Sequence, residues 1–225
     1  MVGSIKDIYT VKSIKKIETH DWLINKHYAK AIPSISYAFG LYENSNLVGV
    51  CCYGNGAVNL AGSIVPKHKD KKHYELNRLV TEELPKNALS YFVSKTIKKI
   101  NKPSVLVSYA DGNQGHNGYI YQATNWIYTG ITGTEKKYYD TRNGKRLHSH
   151  TVVDIYGSRS KEKLPEFIEV VDELVGKHRY VFFNGSKTFK NDCELFMRYK
   201  ELPYPKGENE NYDASYKPQT QATLW

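Results

Sequence analysis

The chain has 225 residues, 40% of them hydrophobic, and a formal net charge of +9 with a pI near 9.2. This length favours one compact domain over two, and the charge favours a polyanionic partner. No stretch of the sequence is long and apolar enough to span a membrane, and the N-terminus lacks the apolar core of a signal peptide.

The three cysteines, Cys51, Cys52 and Cys193, do not have the spacing of metal ligands. Cys51 and Cys52 are neighbours in an apolar, strand-like run, so their side chains point to opposite faces of a sheet. We therefore expect buried, reduced thiols and a cytosolic protein.

The N-terminal part of the chain predicts a strand, a helix and a hairpin. The strand lies within residues 5–17, and Asp21 can cap a helix that runs to His27 and Tyr28 and stops before Pro33. The hairpin has aromatic and aliphatic arms at residues 35–42 and 47–53, joined by a turn at 43–46.

The middle of the chain predicts alternating strands and helices. Residues 54–72 are expected to form a loop that ends in a basic run. A strand at 74–80 leads to an amphipathic helix whose apolar face includes residues 89, 92, 93, 97 and 100, and a strand at 105–111 follows.

The C-terminal part predicts a helix at 116–126 and a strand at 127–131. Segments 138–140 and 147–153 are expected to pair across an Asn-Gly turn. A helix at 165–175 and a strand at 180–183 come next. Residues 1–202 are thus assigned to one domain and residues 203–225 to a polar C-terminal tail.

This order of elements describes an α+β fold: a mixed, mainly antiparallel central sheet flanked by helices. It matches the order of GNAT acyltransferases, in which the helix after the fourth strand holds the pyrophosphate of acyl-coenzyme A. The sequence is therefore predicted to have a GNAT-like fold.

Four segments are too polar and aromatic to be scaffold alone. His27 lies at a helix end, where a histidine can also act as a cation near the helix C-terminus. Strand alternation places Glu75 on one side and Arg78 on the other, and Arg78 either pairs with a carboxylate or binds a phosphate or carbonyl.

The other two segments are adjacent. Asp111 closes an apolar strand and is either a general base or metal ligand, or a turn-forming aspartate. In the following segment Tyr121 and Asn125 would share one face of a helix and could grip a planar base.

Together these segments resemble the phage Mom family of DNA adenine-modification proteins. The similar runs are Glu75-Leu76-Asn77-Arg78-Leu79, Leu84-Pro85-Lys86-Asn87, Val107-Ser108-Tyr109-Ala110-Asp111 with Gln114-Gly115-His116, Tyr119-Ile120-Tyr121-Gln122-Ala123-Thr124-Asn125-Trp126, and Lys177-His178-Arg179-Tyr180-Val181-Phe182-Phe183. The resemblance covers residues 20 to 205 in scattered blocks.

The resemblance implies a GNAT-like transferase that converts adenine in DNA to an N6-modified (methylcarbamoyl or carbamoylmethyl) form and so protects phage DNA from host restriction in the host cytoplasm. By similarity, the catalytic positions fall on His27, Arg78, Asp111 and Tyr121, with Tyr53 as an addition. The family's link to iron would make His27 and Asp111 the ligands.

Substrate binding gives further expectations. The donor would bind near Asn87 and Ser90 at a helix start, but the loop lacks the glycines usual for coenzyme A, so both acetyl-CoA and a charged tRNA-type carrier stay open. Double-stranded DNA, with the target base flipped out, would meet the lysines and arginines at the surface. These predicted phosphate contacts are Lys67, Lys69, Lys71, Lys72, Lys136, Lys137, Arg142, Lys145 and Arg146.

Two alternatives stay open at this point. An ordinary GNAT acetyltransferase acting on a small amine or protein lysine would bind coenzyme A without affinity for DNA. A non-enzymatic DNA-binding protein would bind DNA in a salt-dependent way and leave adenine unchanged.

Overall fold

A computed structural model of the protein describes residues 4–57, 59–134, 136–172 and 176–206. Within these ranges the strands are β1 (Tyr9–Ser13), β2 (Tyr37–Glu43), β3 (Asn46–Gly54), β4 (Lys72–Thr81), β5 (Ser104–Asp111), β6 (Ile127–Ile131), β7 (Lys136–Asp140), β8 (Lys145–Leu147), β9 (Ile168–Asp172) and β10 (Lys177–Asn184). The α-helices are α1 (Ile5–Ile8), α2 (Leu60–Ile64), α3 (Ala88–Lys99), α4 (Tyr119–Ala123), α5 (Ser149–Tyr156) and α6 (Lys187–Leu195), and a π-helical turn spans Trp22–Lys26.

The main sheet has the strand order β1-β2-β3-β4-β5-β10-β6. All of its pairings are antiparallel except that of β4 with β5. The parallel register runs from Lys72 opposite Ser104 to Glu75 opposite Val107. Farther along, β4 stays paired with β3 and β5 stays paired with β10, so the two central strands diverge. We call this opening the fork.

Helices cover both faces of the main sheet. Helix α3 packs on one face, where Phe92 and Ile97 meet Leu106 and Tyr180 in the largest core cluster. On the opposite face α2 and α6 cover β5 and β10. The π-helical turn covers β3 and β4 there through Trp22 and Leu23. The apolar side chains are thus removed from water in three clusters, the main source of the domain's stability.

A second, small sheet has the order β8-β7-β9 and lies in the chain between β6 and β10. It has its own core, in which Tyr138, Val152 and Ile168 are buried beneath α5. The segment is therefore a separately packed addition to the main sheet.

The predicted α+β class is confirmed, with a mixed, mainly antiparallel central sheet flanked by helices. The hairpin of β2 and β3, the strands β4, β5, β6 and β10, and the amphipathic helix α3 were all expected near their observed positions. No helix in the described ranges is long and apolar enough to cross a bilayer.

The helix predicted at 165–175 is wrong. Residues Ile168–Asp172 form β9, which pairs antiparallel with β7 from Ile168 opposite Asp140 to Asp172 opposite Lys136, and residues 173–175 lie outside the described part. The β-branched residues Ile168, Val170 and Val171 favour a strand. Pairing with β7 stabilises this strand, and the local sequence pattern does not reveal that pairing.

Two other segments differ in length from the prediction. The strand expected at 147–153 ends at Leu147, because His148 caps α5 by accepting the His150 N–H at its Nδ1. The helix expected at 116–126 is reduced to α4, and Asn125 leaves it with a φ of 60°. Tyr121 and Asn125 therefore do not share a helix face.

Some elements were not predicted. The loop at 54–72 contains α2, residues 5–8 form α1 ahead of β1, and α6 follows β10. In the predicted tail, the Tyr204 hydroxyl donates to the Trp126 carbonyl at 2.8 Å and the Pro205 carbonyl accepts from the Gln122 amide. Residues 207–225 lie outside the described part.

The three cysteines are unpaired and buried, and burial raises the pKa of the Cys52 thiol to about 11 and that of Cys193 to about 12. We expect the native protein to resist a thiol reagent at mildly alkaline pH, because the thiolate is the reactive form. Denatured protein is the control and should react at all three sites. Rapid native labelling, read by intact mass, would contradict this burial.

Candidate functional site

A β-bulge in β4 brings two charged side chains to one face. Leu76 lies opposite Tyr53 and Arg78 opposite Cys52, so Asn77 is an extra residue in the ladder. Such a residue resets the alternation of side chains. Glu75 and Arg78 therefore interact on the same side of the sheet, and the expectation that they point to opposite sides is wrong.

His27 follows the π-helical turn and is only 7% exposed. Its Nδ1 accepts the Ala29 N–H at 3.0 Å, which leaves the proton of the neutral ring on Nε2. Burial, followed by the nearby Arg78 and His116, lowers the pKa of His27 to about 3. At neutral pH this residue is thus an uncharged hydrogen-bond donor.

Arg78 is held by the backbone. Its Nη1 donates to the Asn77 carbonyl at 2.7 Å and its Nε donates to the Ala31 carbonyl at 3.3 Å. Burial raises the pKa of Glu75, and the positive charges of Arg78 and Lys177 oppose that rise. The guanidinium therefore has a fixed orientation and a carboxylate partner.

Asp111 ends β5 and is 8% exposed. Its Oδ1 accepts the Asn113 backbone N–H at 3.0 Å and the Asn113 side-chain amide at 3.2 Å, so it does form the turn that follows. The same turn brings the His116 N–H to the Asp111 carbonyl at 3.1 Å. Burial lowers the pKa of the His116 ring, while the Asp111 charge acts to raise it.

An aromatic side chain lies at the outer surface of these groups. The Tyr28 ring stacks on His27 at 4.4 Å and meets His116 edge-on at 5.8 Å between ring centroids. Tyr28 is 52% exposed. We call His27, Tyr28, Glu75, Arg78, Asp111 and His116 the polar cluster.

Tyr53 and Tyr121 lie on the other face of the sheet, in the core beneath α3 and α4. The hydroxyls of Tyr53 and Thr96 are 2.8 Å apart, and burial raises the pKa of Tyr53, with Cys51 and Tyr121 adding to the effect. The Tyr121 ring packs against Trp126 and Tyr180 at 5.3 and 5.1 Å. The structure thus brings His27, Arg78 and Asp111 together and separates them from both tyrosines by the sheet.

The predicted donor residues are at the start of α3. Asn87 precedes the helix with a φ of 72°, and the Ser90 hydroxyl donates to the Asn87 carbonyl at 3.1 Å. Nearby, Lys26 of the π-helical turn forms an ion pair with Glu82, which follows β4. This ion pair joins the segment that carries His27 to the loop that leads into α3.

An iron site is not supported. Among the described residues, no group of three or more His, Cys, Asp and Glu side chains could hold a metal ion. Coordination through Nε2 of His27 would also need the proton on Nδ1, where it would oppose the Ala29 N–H. His27 and Asp111 therefore do not form the iron site that the resemblance implied.

Several predicted phosphate contacts already have protein partners. Lys67 pairs with Asp192 at 2.6 Å, Lys136 with Asp172 at 3.8 Å, and Arg142 with Asp140 at 2.7 Å. In the rest of this set Lys137 is half-buried. The exposed side chains are Lys69, Lys71, Lys72, Lys145 and Arg146.

Sequence reasoning did not assign a role to Glu75, His116 or Tyr28, although all three lie in or beside the segments that it singled out. A groove of about 380 Å³, lined by Lys98, Phe182 and Lys190 among others, lies elsewhere and includes none of the polar cluster. We therefore assign no part of the transfer chemistry to this groove.

Two imidazoles, two carboxylates and a fixed guanidinium at the mouth of the fork are suited to moving a proton and stabilising charge during a group transfer. Comparison with known proteins agrees that the chain is a transferase. It is 30% identical over 191 residues to the methylcarbamoylase Mom of Escherichia phage Mu, covering 80% of the chain and 77% of that protein.

The profile of the Mom protein family matches residues 8–206. The chain therefore belongs to the Mom family of phage DNA-modification proteins, as the sequence predicted. Solved structures with a similar chain trace include a Bacillus subtilis acetyltransferase in complex with CoA (TM-score 0.42, 13% identity, 78% of this chain and 97% of that one). Another is a GNAT family acetyltransferase from Elizabethkingia anophelis with acetyl-CoA bound (TM-score 0.38, 13% identity, 79% and 99%).

The lowered pKa of His27, from 6.5 to about 3, makes stability depend on pH. In this window the unfolded imidazole takes up a proton and the folded one does not. The free energy of unfolding therefore decreases as the pH falls below the unfolded value, by up to about 1.4 kcal/mol per pH unit. We expect His27→Asn, whose amide oxygen can accept the Ala29 N–H, to lose this dependence. Denaturant titrations measure it, and parallel curves for both proteins would refute it.

Proposed function

We propose that this protein transfers a methylcarbamoyl-type group to N6 of adenine in duplex DNA, giving the N6-modified (methylcarbamoyl or carbamoylmethyl) base that protects phage DNA from restriction. The observation that carries the proposal is the meeting of His27, Arg78 and Asp111 at the fork, in a chain of the Mom family. The donor in this step must already carry the transferred group in activated form, and coenzyme A and tRNA are the two carriers that stay open.

The proposed step is a displacement at the carbon of the donor group. A bond forms between adenine N6 and that carbon, and the bond from the carbon to the carrier breaks with its electron pair leaving on the carrier. One N6 proton must be removed as the new bond forms. Because the N6 lone pair is delocalised into the purine ring, the enzyme has to supply both a base and a precise approach.

His116 is suited to accept the proton. Burial lowers the pKa of its imidazole, so the ring is neutral and basic at physiological pH, and the adjacent Asp111 carboxylate stabilises the cation that forms. Asp111 thus acts as the group that orients and stabilises the base. Its own Oδ1 is held by Asn113.

Arg78 would stabilise negative charge on the donor oxygen, because its bonds to the Ala31 and Asn77 carbonyls orient it before the donor arrives. His27 would donate from Nε2 to the same oxygen or to a ring nitrogen of adenine. The departing carrier would bind near Asn87 and Ser90 at the start of α3, on the face of the sheet where Tyr53 and Tyr121 form part of the core.

Duplex DNA buries N6 within the base stack, so the target base must be flipped out at a cost of a few kcal/mol. The exposed Tyr28 ring, stacked on His27, offers a planar surface for the flipped adenine at the mouth of the polar cluster. The basic charge of the chain supports the phosphate contacts that such a complex needs.

Asp111→Ala and His116→Ala should each lower adenine modification by about a hundredfold, the usual cost of removing one catalytic group. Each variant is expressed in bacteria, the DNA is digested to nucleosides, and the new deoxyadenosine derivative is quantified by mass spectrometry. The control is Asp70→Asn, an exposed carboxylate in the turn before β4. Wild-type modification by folded Asp111→Ala would refute the assignment, and no new derivative from the wild-type chain would refute the function.

Tyr28 gives a separate test of base stacking. Tyr28→Ala should reduce modification several-fold to about a hundredfold, as expected from a loss of 1–3 kcal/mol per stacked base. Tyr28→Phe keeps the ring and should retain near wild-type modification in the same nucleoside assay. Equal activity of the Ala and Phe variants would show that the ring does not hold the base.

A further inference from the structure

The chain segment that forms the small sheet and α5 starts and ends near the edge of the main sheet where Asp111 lies. The segment from Lys136 to Asp172, which we call the arm, leaves the main sheet after β6 and returns at β10. At its base the Thr132 N–H donates to the Lys177 carbonyl at 2.9 Å and the Lys177 N–H donates to Thr132 Oγ1 at 3.0 Å. Lys177 is also the residue opposite Asp111. The arm therefore begins at the same end of the sheet as the polar cluster.

The arm is a packed unit. Tyr138, Val152 and Ile168 are each at most 3% exposed, and the Tyr138 hydroxyl donates to the Arg159 carbonyl at 3.2 Å. Three strands and a helix around one core keep the β7–β8 hairpin in a defined shape. A surface carried on this hairpin is therefore ordered before any partner binds.

The positive charge of the arm is concentrated in its first part. Residues 136–163 contain eight Lys and Arg residues and three Asp and Glu residues, and residues 164–172 add three acidic residues and no basic one. Asp140 neutralises Arg142, which also stacks on Phe167 at 3.7 Å. Lys145 and Arg146 are exposed, and neither forms an ion pair within the described part of the chain. They are followed by the exposed His148 and His150.

The second basic group, at residues 67–72, is in a different place. Lys72 lies opposite Ser104 at the start of the parallel pairing, seven residues along β5 from Asp111. That separation is about 23 Å along a strand. Lys67 is also held by Asp192 of the α6 region. This group therefore lies at the end of the sheet remote from the polar cluster.

We propose that the arm is the surface that binds the phosphate backbone of duplex DNA, with Lys145 and Arg146 at its centre, and that residues 67–72 lie outside the complex. The inference rests on the proposed function and names the surface that presents DNA to that site. Strand β8 is an edge strand of the small sheet, so its side chains can approach a duplex. Lys145 and Arg146 come directly after the β7–β8 turn, where they can reach phosphates on both sides of a groove.

The test compares two double variants of equal charge change, Lys145→Gln with Arg146→Gln and Lys69→Gln with Lys71→Gln. Binding to a fluorescent DNA duplex is measured by anisotropy over a range of salt concentrations. Each lost phosphate contact lowers the log–log salt slope by about 0.9, so the arm variant should lose about 1.8 and bind more weakly. The matched variant should keep the wild-type slope. Thermal unfolding of both variants confirms that they fold.

A wild-type slope for the arm variant, or an equal loss in the matched variant, would overturn the inference. Mass spectrometry of deoxyadenosine from the expressing cells separates this outcome from failure of the proposed function. If the wild-type chain modifies adenine while the arm variant binds DNA as the wild type does, only the arm assignment fails. If wild-type protein leaves deoxyadenosine unchanged, the proposed function fails, whichever variant binds DNA.

Discussion

The limited parallel pairing of β4 with β5 is the constraint on which the rest of the site depends. Four register pairs hold the strands together, and at the end of this pairing the Ser108 hydroxyl donates to the Leu76 carbonyl at 2.7 Å. This bond satisfies a buried carbonyl that no longer has a strand partner. Since each central strand keeps its outer neighbour, the divergence leaves the sheet intact on both sides. Polar groups can then face an opening in the middle of the sheet, where backbone pairing would otherwise close it.

Burial determines what the polar cluster can do. Burial makes it costly to protonate His27, and the positive charge of the nearby Arg78 adds to that cost, so the imidazole stays neutral. The two carboxylates favour positive charge on their neighbours: Glu75 acts to raise the pKa of Arg78, and Asp111 acts to raise the pKa of His116. The cluster thus contains one permanent cation, one imidazole held as a donor and one imidazole able to accept a proton. This division of roles follows from position in the fold, since both histidines begin with the same intrinsic pKa.

The sequence predicted the scaffold well where local pattern and tertiary structure agree. The β2–β3 hairpin has aromatic and aliphatic arms on either side of a turn, and α3 has an apolar face with helical spacing; both elements formed near their expected positions. The prediction for the β9 segment was wrong because its state depends on pairing with β7, a contact between residues 28 to 36 positions apart. Glu75 was missed because alternation cannot foresee the bulge at Asn77, and His116 because a turn capped by Asp111 brings it back to the strand end. Arg78 and Asp111 were singled out because they lie in the runs that resemble the family, and His27 by similarity to the family's functional histidine.

Strand β10 connects the chemistry to the arm. On one side it pairs with β5 along its whole length, which places Lys177 opposite Asp111. On the other side it pairs with β6, whose outer edge is covered by the C-terminal segment: the Leu202 N–H donates to the Tyr128 carbonyl at 2.9 Å. Arg179 adds bonds to Thr129 and lies over the Tyr199 ring at 3.5 Å. An edge strand covered in this way cannot pair with another chain and gains stiffness from the contacts. The base of the arm is therefore built on the firmly held half of the sheet, so a duplex bound there would keep a fixed position relative to Asp111 while one base is turned into the fork.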